Sequence, residues 1–497
     1  MSVLAREALD AQAAAQLAAF QGRALTPKER AAVDQQPMPV QEPSVRRRNM
    51  QEVALGYTEA QARLEANRCL QCKNAPCMKD CPVSINIPGF IREVAQGRYA
   101  EALGVIRQSS ILPAICGRVC PQESQCQKHC TMGALRKDVG QSVAIGRLER
   151  FVADWQRAHA AEAPLDTAVK PETGKRVAVI GSGPSGITVA ADVRREGHAV
   201  TLFEAFQTPG GVLVYGIPEF RLPKAIVQNE IDGLRTMGVE VVPNFVVGRT
   251  RTVRQLMEED GYDAVYVGTG AGLPRFMGIP GEELVGVFSA NEYLTRANLM
   301  KAYDRAHAAT PYYPARRVAV LGGGNVAMDA ARMAFRLGAE EVCLVYRRSR
   351  AEMPARAEEV EHAEEEGVDF RFLSNIERIV GDERGVVAAV ECLRYELGEP
   401  DASGRRSPVP VPGSEYVLPV DAVVIAIGNA SNPLIPQTTD GLEVDRKGHI
   451  VVNADQATSL PGVFAGGDIV LGAATVILAM GEGRRAAKAI NDYLANR

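Results

Sequence analysis

The chain has 497 residues, room for roughly two to four domains at about 100–200 residues each. Apolar residues make up 46%, charged residues 23% and aromatics 5%, a globular mix that excludes a disordered or collagen-like protein. Lys plus Arg total 56 against 60 Asp plus Glu, a formal charge of −4, so no global positive field exists to recruit nucleic acid or an anionic membrane.

The opening M-S-V-L-A-R-E-A-L-D places Glu7 and Asp10 where a signal peptide requires an apolar core. The longest apolar stretches, such as Val423 to Ile427, fall far short of the ~20 residues of a membrane span. The expectation is a cytoplasmic protein. Residues 1–50 read as an extension, with amphipathic helices carrying Leu4, Ala8, Ala15 and Leu17 and a basic, Pro-marked break from Pro37 to Arg48. Residues 51–160 read as a small α-helical domain: between Ile91 and Arg107, the residues Ile91, Val94, Ala95, Ala102 and Val105 recur at helical spacing. A linker without periodicity follows over 160–174.

Within the helical domain, eight of the ten cysteines crowd between Cys69 and Cys130. In a large chain expected to stay in the cytoplasm, this pattern points to inorganic ligation rather than disulfides. The spacings are C-x-x-C-x4-C-x3-C-P for Cys69, Cys72, Cys77 and Cys81, and C-x3-C-P-x5-C-x3-C for Cys116, Cys120, Cys126 and Cys130. Two structural zincs would also use eight thiolates. However, C-x3-C-P resembles the ferredoxin run, whose last cysteine crosses to the other cluster, and no Cys/His zinc pattern accompanies the lone His129. Two [4Fe–4S] clusters are the reading. Cys343 and Cys392, in apolar strand-like settings, read as core residues.

From Arg176 the chain becomes α/β. The strand R-V-A-V-I leads into G-S-G-P-S-G with Gly181, Gly183, Pro184, Ser185 and Gly186, then a helix to Glu196 and a strand ending at Glu204, 23 positions after Gly181. Glycines let backbone and helix N-terminus approach a pyrophosphate, and a strand-end acid accepts from a ribose diol. This unit is expected to bind an adenine dinucleotide, the alternative being a packing turn with an incidental acid.

The pattern returns at Arg317: R-V-A-V-L, then Gly322, Gly323, Gly324, Asn325, Val326 and Ala327, a helix through Arg336, and a strand ending in Val345 and Tyr346. Here Arg347 and Arg348 follow in place of the acid, so a 2′-phosphate would be attracted and the site should prefer NADP(H). A solvated basic loop continuing to Arg350 is the alternative. Later strands also repeat, D-A-V-Y-V-G-T-G from Asp263 and D-A-V-V-I-A-I-G from Asp421.

Two dinucleotides in one chain suggest a flavin paired with a nicotinamide. V-F-A-G-G-D, with Gly467 and Asp468, followed by Ala474 and Thr475 at a helix opening, suits a ribityl hydroxyl and a flavin pyrimidine; Gly211 and Gly270 complete the expected FAD contacts. The fold class is therefore α/β, with an N-terminal helical iron–sulfur domain and two Rossmann-like domains. The FAD domain occupies 175–290 and 415–497, and the NADPH domain is inserted over 291–414.

On these motifs, over about residues 50–497, the chain resembles the small (beta) subunit of NADPH-dependent glutamate synthase and its relatives. Among them are the large subunit of NADH-dependent ferredoxin:NADP oxidoreductase, also met as the sulfide dehydrogenase alpha subunit, and the N-terminal half of dihydropyrimidine dehydrogenase. The wording P-C-x3-C-P-V-x3-I-P-G-F and L-P-A-I-C-G-R-V-C-P-Q-E looks closer to the ferredoxin:NADP branch. The resemblance implies that Cys69, Cys72, Cys77 and Cys130 hold one cluster and Cys81, Cys120, Cys126 and Glu149 the other, leaving Cys116 spare. Glu149 could instead form a surface ion pair with Arg147 or Arg150. It further implies hydride exchange between NADPH and FAD, and electrons passing through the clusters to a partner flavoprotein or iron–sulfur subunit. An electron-bifurcating subunit and a non-enzymatic relay or scaffold are the alternatives. A flavin disulfide reductase fits poorly, because the only C-x-x-C, Cys69 to Cys72, lies outside the flavin unit.

Overall fold

The structure, a computed structural model, describes residues 6–20, 23, 25–161, 167–402 and 404–497. Leu4 and much of the expected linker, residues 162–166, lie outside the described residues. The helix Arg6–Ala18 packs on Glu59–Asn67 through Ala13, Leu17 and Leu64. Its buried stripe starts at Leu9, while Ala8 and Ala15 face solvent, because the larger Leu9 takes the inward position. The expected helical stretch from Ile91 to Arg107 is two helices, Ile87–Ala95 and Tyr99–Arg107, divided at Gly97, whose φ of +75° turns the chain. Ile87–Ala95 buries Ile87, Phe90, Ile91 and Val94 on one face. With Pro113–Val119 and Ile145–Ala158 these helices form the small domain.

Two five-stranded parallel sheets follow. The first runs Val463–Ala465, Ala264–Val267, Arg176–Ile180, Ala199–Phe203, Glu240–Val242; the second runs Val287–Ser289, Ala422–Ile425, Arg317–Leu321, Glu341–Tyr346, Asp369–Phe372. Four strands of each sheet correspond in order, with the strand before each Gly-rich loop at the centre; the edge strand comes last in the chain in the first sheet and first in the second. The duplicated D-A-V explains itself here. The Asp263 carboxylate accepts from the Arg176 N–H at 2.9 Å, and that of Asp421 from the Arg317 N–H at 2.8 Å. Each aspartate thus pins the start of the central strand beside its own.

The second sheet begins at Val287 and ends at Ile425, wider than the 291–414 read from the sequence. An antiparallel sheet of Ser374–Gly381, Val387–Pro400, Arg406–Pro410 and Tyr416–Pro419 is inserted within it. The first sheet is discontinuous, its edge strand Val463–Ala465 arriving after the whole second unit.

Candidate functional site

In the first unit, the helix Pro184–Arg195 starts from Gly183 with no side-chain cap, so its first-turn N–H groups are left for a ligand. A Cβ at Gly183 would meet nothing within 4 Å, whereas one at Gly186 would lie 1.9 Å from the Gly181 carbonyl. The loop is therefore open where a phosphate would sit and closed where helix crosses strand. Gly211 lies against this opening, since its Cβ would come 2.8 Å from the Gly183 Cα. Gly270 borders open space, and beside it the buried Thr269 hydroxyl has no protein partner.

Glu204 is buried. Its carboxylate accepts from the Ser182 N–H at 3.1 Å, the Ser182 hydroxyl and the Phe206 N–H at 2.9 Å. These bonds fix its orientation and still leave lone-pair capacity. Gly467 brings the distant G-G-D to the same loop, its Cβ position lying 2.7 Å from the Ser185 hydroxyl. Burial pushes Asp468 up to about 6 against a backbone bond from Ala474. Thr475 caps the helix Val476–Ala495 by accepting from the Leu478 N–H. The first-unit residues read from the sequence thus converge on one cleft.

The second loop repeats this design. Gly324 starts the helix Asn325–Arg336 with no side-chain cap, and its Cβ would meet nothing within 4 Å. Gly322, at φ +140°, could not carry a Cβ, which would lie 2.3 Å from the Ala426 carbonyl, and at Gly323 the Tyr346 ring would stand 2.6 Å away. Ala327 is fully buried and Val326 is exposed, while Asn325 Oδ1 accepts from the Arg356 N–H at 2.9 Å. The two arginines part company. Arg347 is exposed, but Arg348 is buried, donating to Asp401 at 2.6 Å and to the Arg406 carbonyl at 2.9 Å. Of this pair, Arg347 is the one whose guanidinium lies exposed, while that of Arg348 is occupied by Asp401.

The thiols form two groups. Cys69, Cys72, Cys77 and Cys130 line one small cavity with Ile87, Ile91 and Met132. Burial and the neighbouring thiols push Cys69 up to about 11 and Cys77 up to about 12. Cys81, Cys116, Cys120, Cys126 and Glu149 form the second group: burial and then neighbouring thiols and Glu149 raise Cys81 and Cys126, the Cys120 thiol and then burial raise Cys116, and burial raises Glu149. Such donors need a cationic partner before they ionise. Among the described residues no three His, Cys, Asp or Glu side chains are gathered tightly enough for a single metal ion.

Glu149 fits a ligand role. Its Oε1 is buried with no hydrogen-bond partner, and burial pushes the carboxyl up to about 8. The expected surface pairs do not form: Arg147 bonds Glu358, and Arg150 bonds Glu52 and Asp154. Cys116 lies in the same group, so five donors face four positions.

The groups are ordered in space. Cys116 and Cys120 share a core with Ile477 and Met480 of the first unit's last helix, and Pro82 and Val83 approach Gly481 of that helix. Cys69, Cys77 and Cys130 belong to the helical domain's own core, which Cys81 and Cys126 join from the inner group. Cys126 senses thiols of both groups. The order is therefore nucleotide cleft, inner donors, outer donors. Ser182, Thr269 and the Arg348–Asp401 pair were missed in the sequence; for Ser182, its place inside G-S-G was the one available signal.

Residues 46–161 match the family model described as dihydropyrimidine dehydrogenase domain II, 4Fe–4S cluster, and residues 174–489 match that of pyridine nucleotide-disulphide oxidoreductase. The NADP(+)-dependent formate dehydrogenase subunit beta of Moorella thermoacetica is 44% identical over 84% of this chain; the chain spans 60% of that protein's length. Glutamate synthase (NADPH) small chains of Halomonas elongata and Escherichia coli are 38% and 37% identical, over 90% of this chain and 94% and 95% of theirs. Among solved structures, FprA of Mycobacterium tuberculosis in complex with NADPH has the same fold over 66% of this chain and 85% of that one, with a TM-score of 0.55 at 22% identity.

Proposed function

We propose, for a chain that belongs to the family of NADPH-dependent glutamate synthase small chains, that its three parts form one electron path from NADPH to a separate polypeptide. The chain is an NADPH oxidoreductase of the FAD and iron–sulfur type. We assign FAD to the first unit, 175–286 with 426–497, NADP(H) to the second, and two [4Fe–4S] clusters to the helical domain. The observation that carries this is the order of cleft, inner donors and outer donors, with Cys120 sharing a core with the helix Val476–Ala495 and Pro82, next to Cys81, approaching Gly481 of that helix.

A bound flavin would supply the exchange between two-electron hydride chemistry and one-electron transfer. The protein's part is placement. Gly181, Gly183, Gly186 and the N–H groups after Pro184 and Ser185 hold the FAD pyrophosphate, Glu204 orients its ribose, and Gly211 and Gly270 border it. Asp468, after Gly467, meets the ribityl chain. Ala474 and Thr475 open the helix whose positive end faces the pyrimidine. Gly322, Gly323, Gly324, Asn325, Val326 and Ala327 seat the NADPH pyrophosphate, with Arg347 on the 2′-phosphate. Cys69, Cys72, Cys77 and Cys130 hold the outer cluster; Cys81, Cys120, Cys126 and Glu149 hold the inner one.

The receiving polypeptide is a redox-active subunit in the cytoplasm, of the glutamate synthase large-subunit or ferredoxin-linked kind. The test is anaerobic purification. About one FAD and about eight iron atoms per chain are expected, with flavin absorbance bleached by NADPH. Zinc without acid-labile sulfide, or a flavin that NADPH leaves oxidised, overturns the reading.

A further inference from the structure

We propose that the surface around the outer thiol group is a docking face for an acidic redox protein. This rests on the reading above that Cys69, Cys72, Cys77 and Cys130 hold the outer cluster. Cys69 and Cys72 are half-exposed, and the Cys72 sulfur lies 3.2 Å from the exposed Thr131 hydroxyl.

Four of the chain's eleven lysines lie within seven positions of a thiol of this group. Lys73 follows Cys72, Lys79 ends the short helix Pro76–Lys79 that carries Cys77, Lys128 precedes Cys130 by two positions, and Lys137 closes the helix Thr131–Arg136. All four are exposed. The acids nearby are already engaged: Asp80 by His129 at 2.7 Å, Asp34 by Arg136, and Asp138 by the Gly140 N–H at 2.8 Å. Of the seven lysines elsewhere, three are tied to acids, in Lys170–Glu196, Lys175–Asp263 and Lys488–Asp492, and Lys224 is held by backbone carbonyls.

On either side of Lys137 in the sequence, Leu135 and Val139 stand 57% and 42% exposed. Exposed apolar residues among charged ones are the anatomy of a transient interface. The sign of the lysine charge opposes the chain's net charge of −4, so it is a local feature. Exposed lysines suit steering, because a mobile, hydrated point charge attracts at range without demanding a fixed geometry. The complementary partner carries an acidic rim around its own redox centre.

The test uses the oxidised holoprotein and two probes of opposite charge, an acidic [2Fe–2S] ferredoxin and basic cytochrome c. Ferredoxin should bind more tightly than cytochrome c at low salt, and high salt should weaken it about tenfold or more. The variant K73E/K79E/K128E/K137E should lose ferredoxin binding by a similar factor and gain cytochrome c, whereas K301E/K447E should change neither. K73Q/K79Q and K128Q/K137Q, milder in charge, should each show part of the loss. NADPH bleaching, followed in the same samples, tests the electron-path reading separately and should be unchanged. Tighter binding of cytochrome c by the unaltered protein, or ferredoxin affinity indifferent to the lysine variants, overturns the docking face whatever the bleaching result.

Discussion

Arg347 reaches solvent beside the second Gly-rich loop, whereas the next guanidinium, on Arg348, is held inside by Asp401. Arg347→Ala should therefore raise KM for NADPH roughly tenfold or more, the range of a charge-assisted phosphate contact, and leave NADH use nearly unchanged. Arg348→Ala should act on stability instead, lowering Tm, because it leaves the Asp401 carboxylate without its buried partner. Equal losses for both nucleotides in Arg347→Ala would show that the 2′-phosphate is held elsewhere. At the inner donors, Glu149→Ala should make one cluster labile in iron and sulfide analysis while Cys116→Ala keeps both; the reverse would make Cys116 the fourth ligand. The glycines and cysteines were legible in the sequence because their chemistry works over short spacings. The fate of Arg348 was not, since Asp401 lies 53 positions away on an inserted hairpin.

Among the elements, the segment from Pro37 to Tyr57 shows best how a stretch without periodicity can still be structural. Arg46 is fully buried, bonding Glu366 at 3.0 Å and Glu365 at 2.6 Å in the second unit, and Arg47 lies over Phe335. The Val53 N–H donates to the Phe220 carbonyl of the first unit at 2.9 Å. The extension is thus a strap across all three parts, held by partners some 320 positions distant, which no local pattern encodes. Arg46→Ala should cost about 3–5 kcal/mol, read from urea unfolding, because Glu366 stays buried with one cation fewer. His362 sits in the same lattice, where burial and then Arg332 lower it to about 4. Unfolded, it would take a proton near 6.5. Its contribution is complete above that pH and disappears as pH falls from 6.5 to about 4, about 3 kcal/mol in all. His362→Asn should flatten the pH dependence of the urea midpoint in that window; an unchanged slope would place the effect on other groups.

At the scale of the whole molecule, the two sheets share the order of four strands but differ in their edge strand and in continuity. The second, from Val287 to Ile425, is a single stretch of chain; the first must wait for Val463–Ala465. Pairing across so long an interval carries the greater closure entropy. In pulse-labelled refolding, amides of Arg317–Leu321 should gain protection before those of Ala264–Val267; simultaneous protection would mean the sheets form as one cooperative unit. The late helix Val476–Ala495 also roofs Cys116 and Cys120 through Ile477 and Met480. During synthesis Cys116 and Cys120 therefore lack this cover for as long as it takes to translate the entire second unit. That interval is a window in which cellular iron–sulfur carriers can reach these side chains, and it shuts when the last helix arrives.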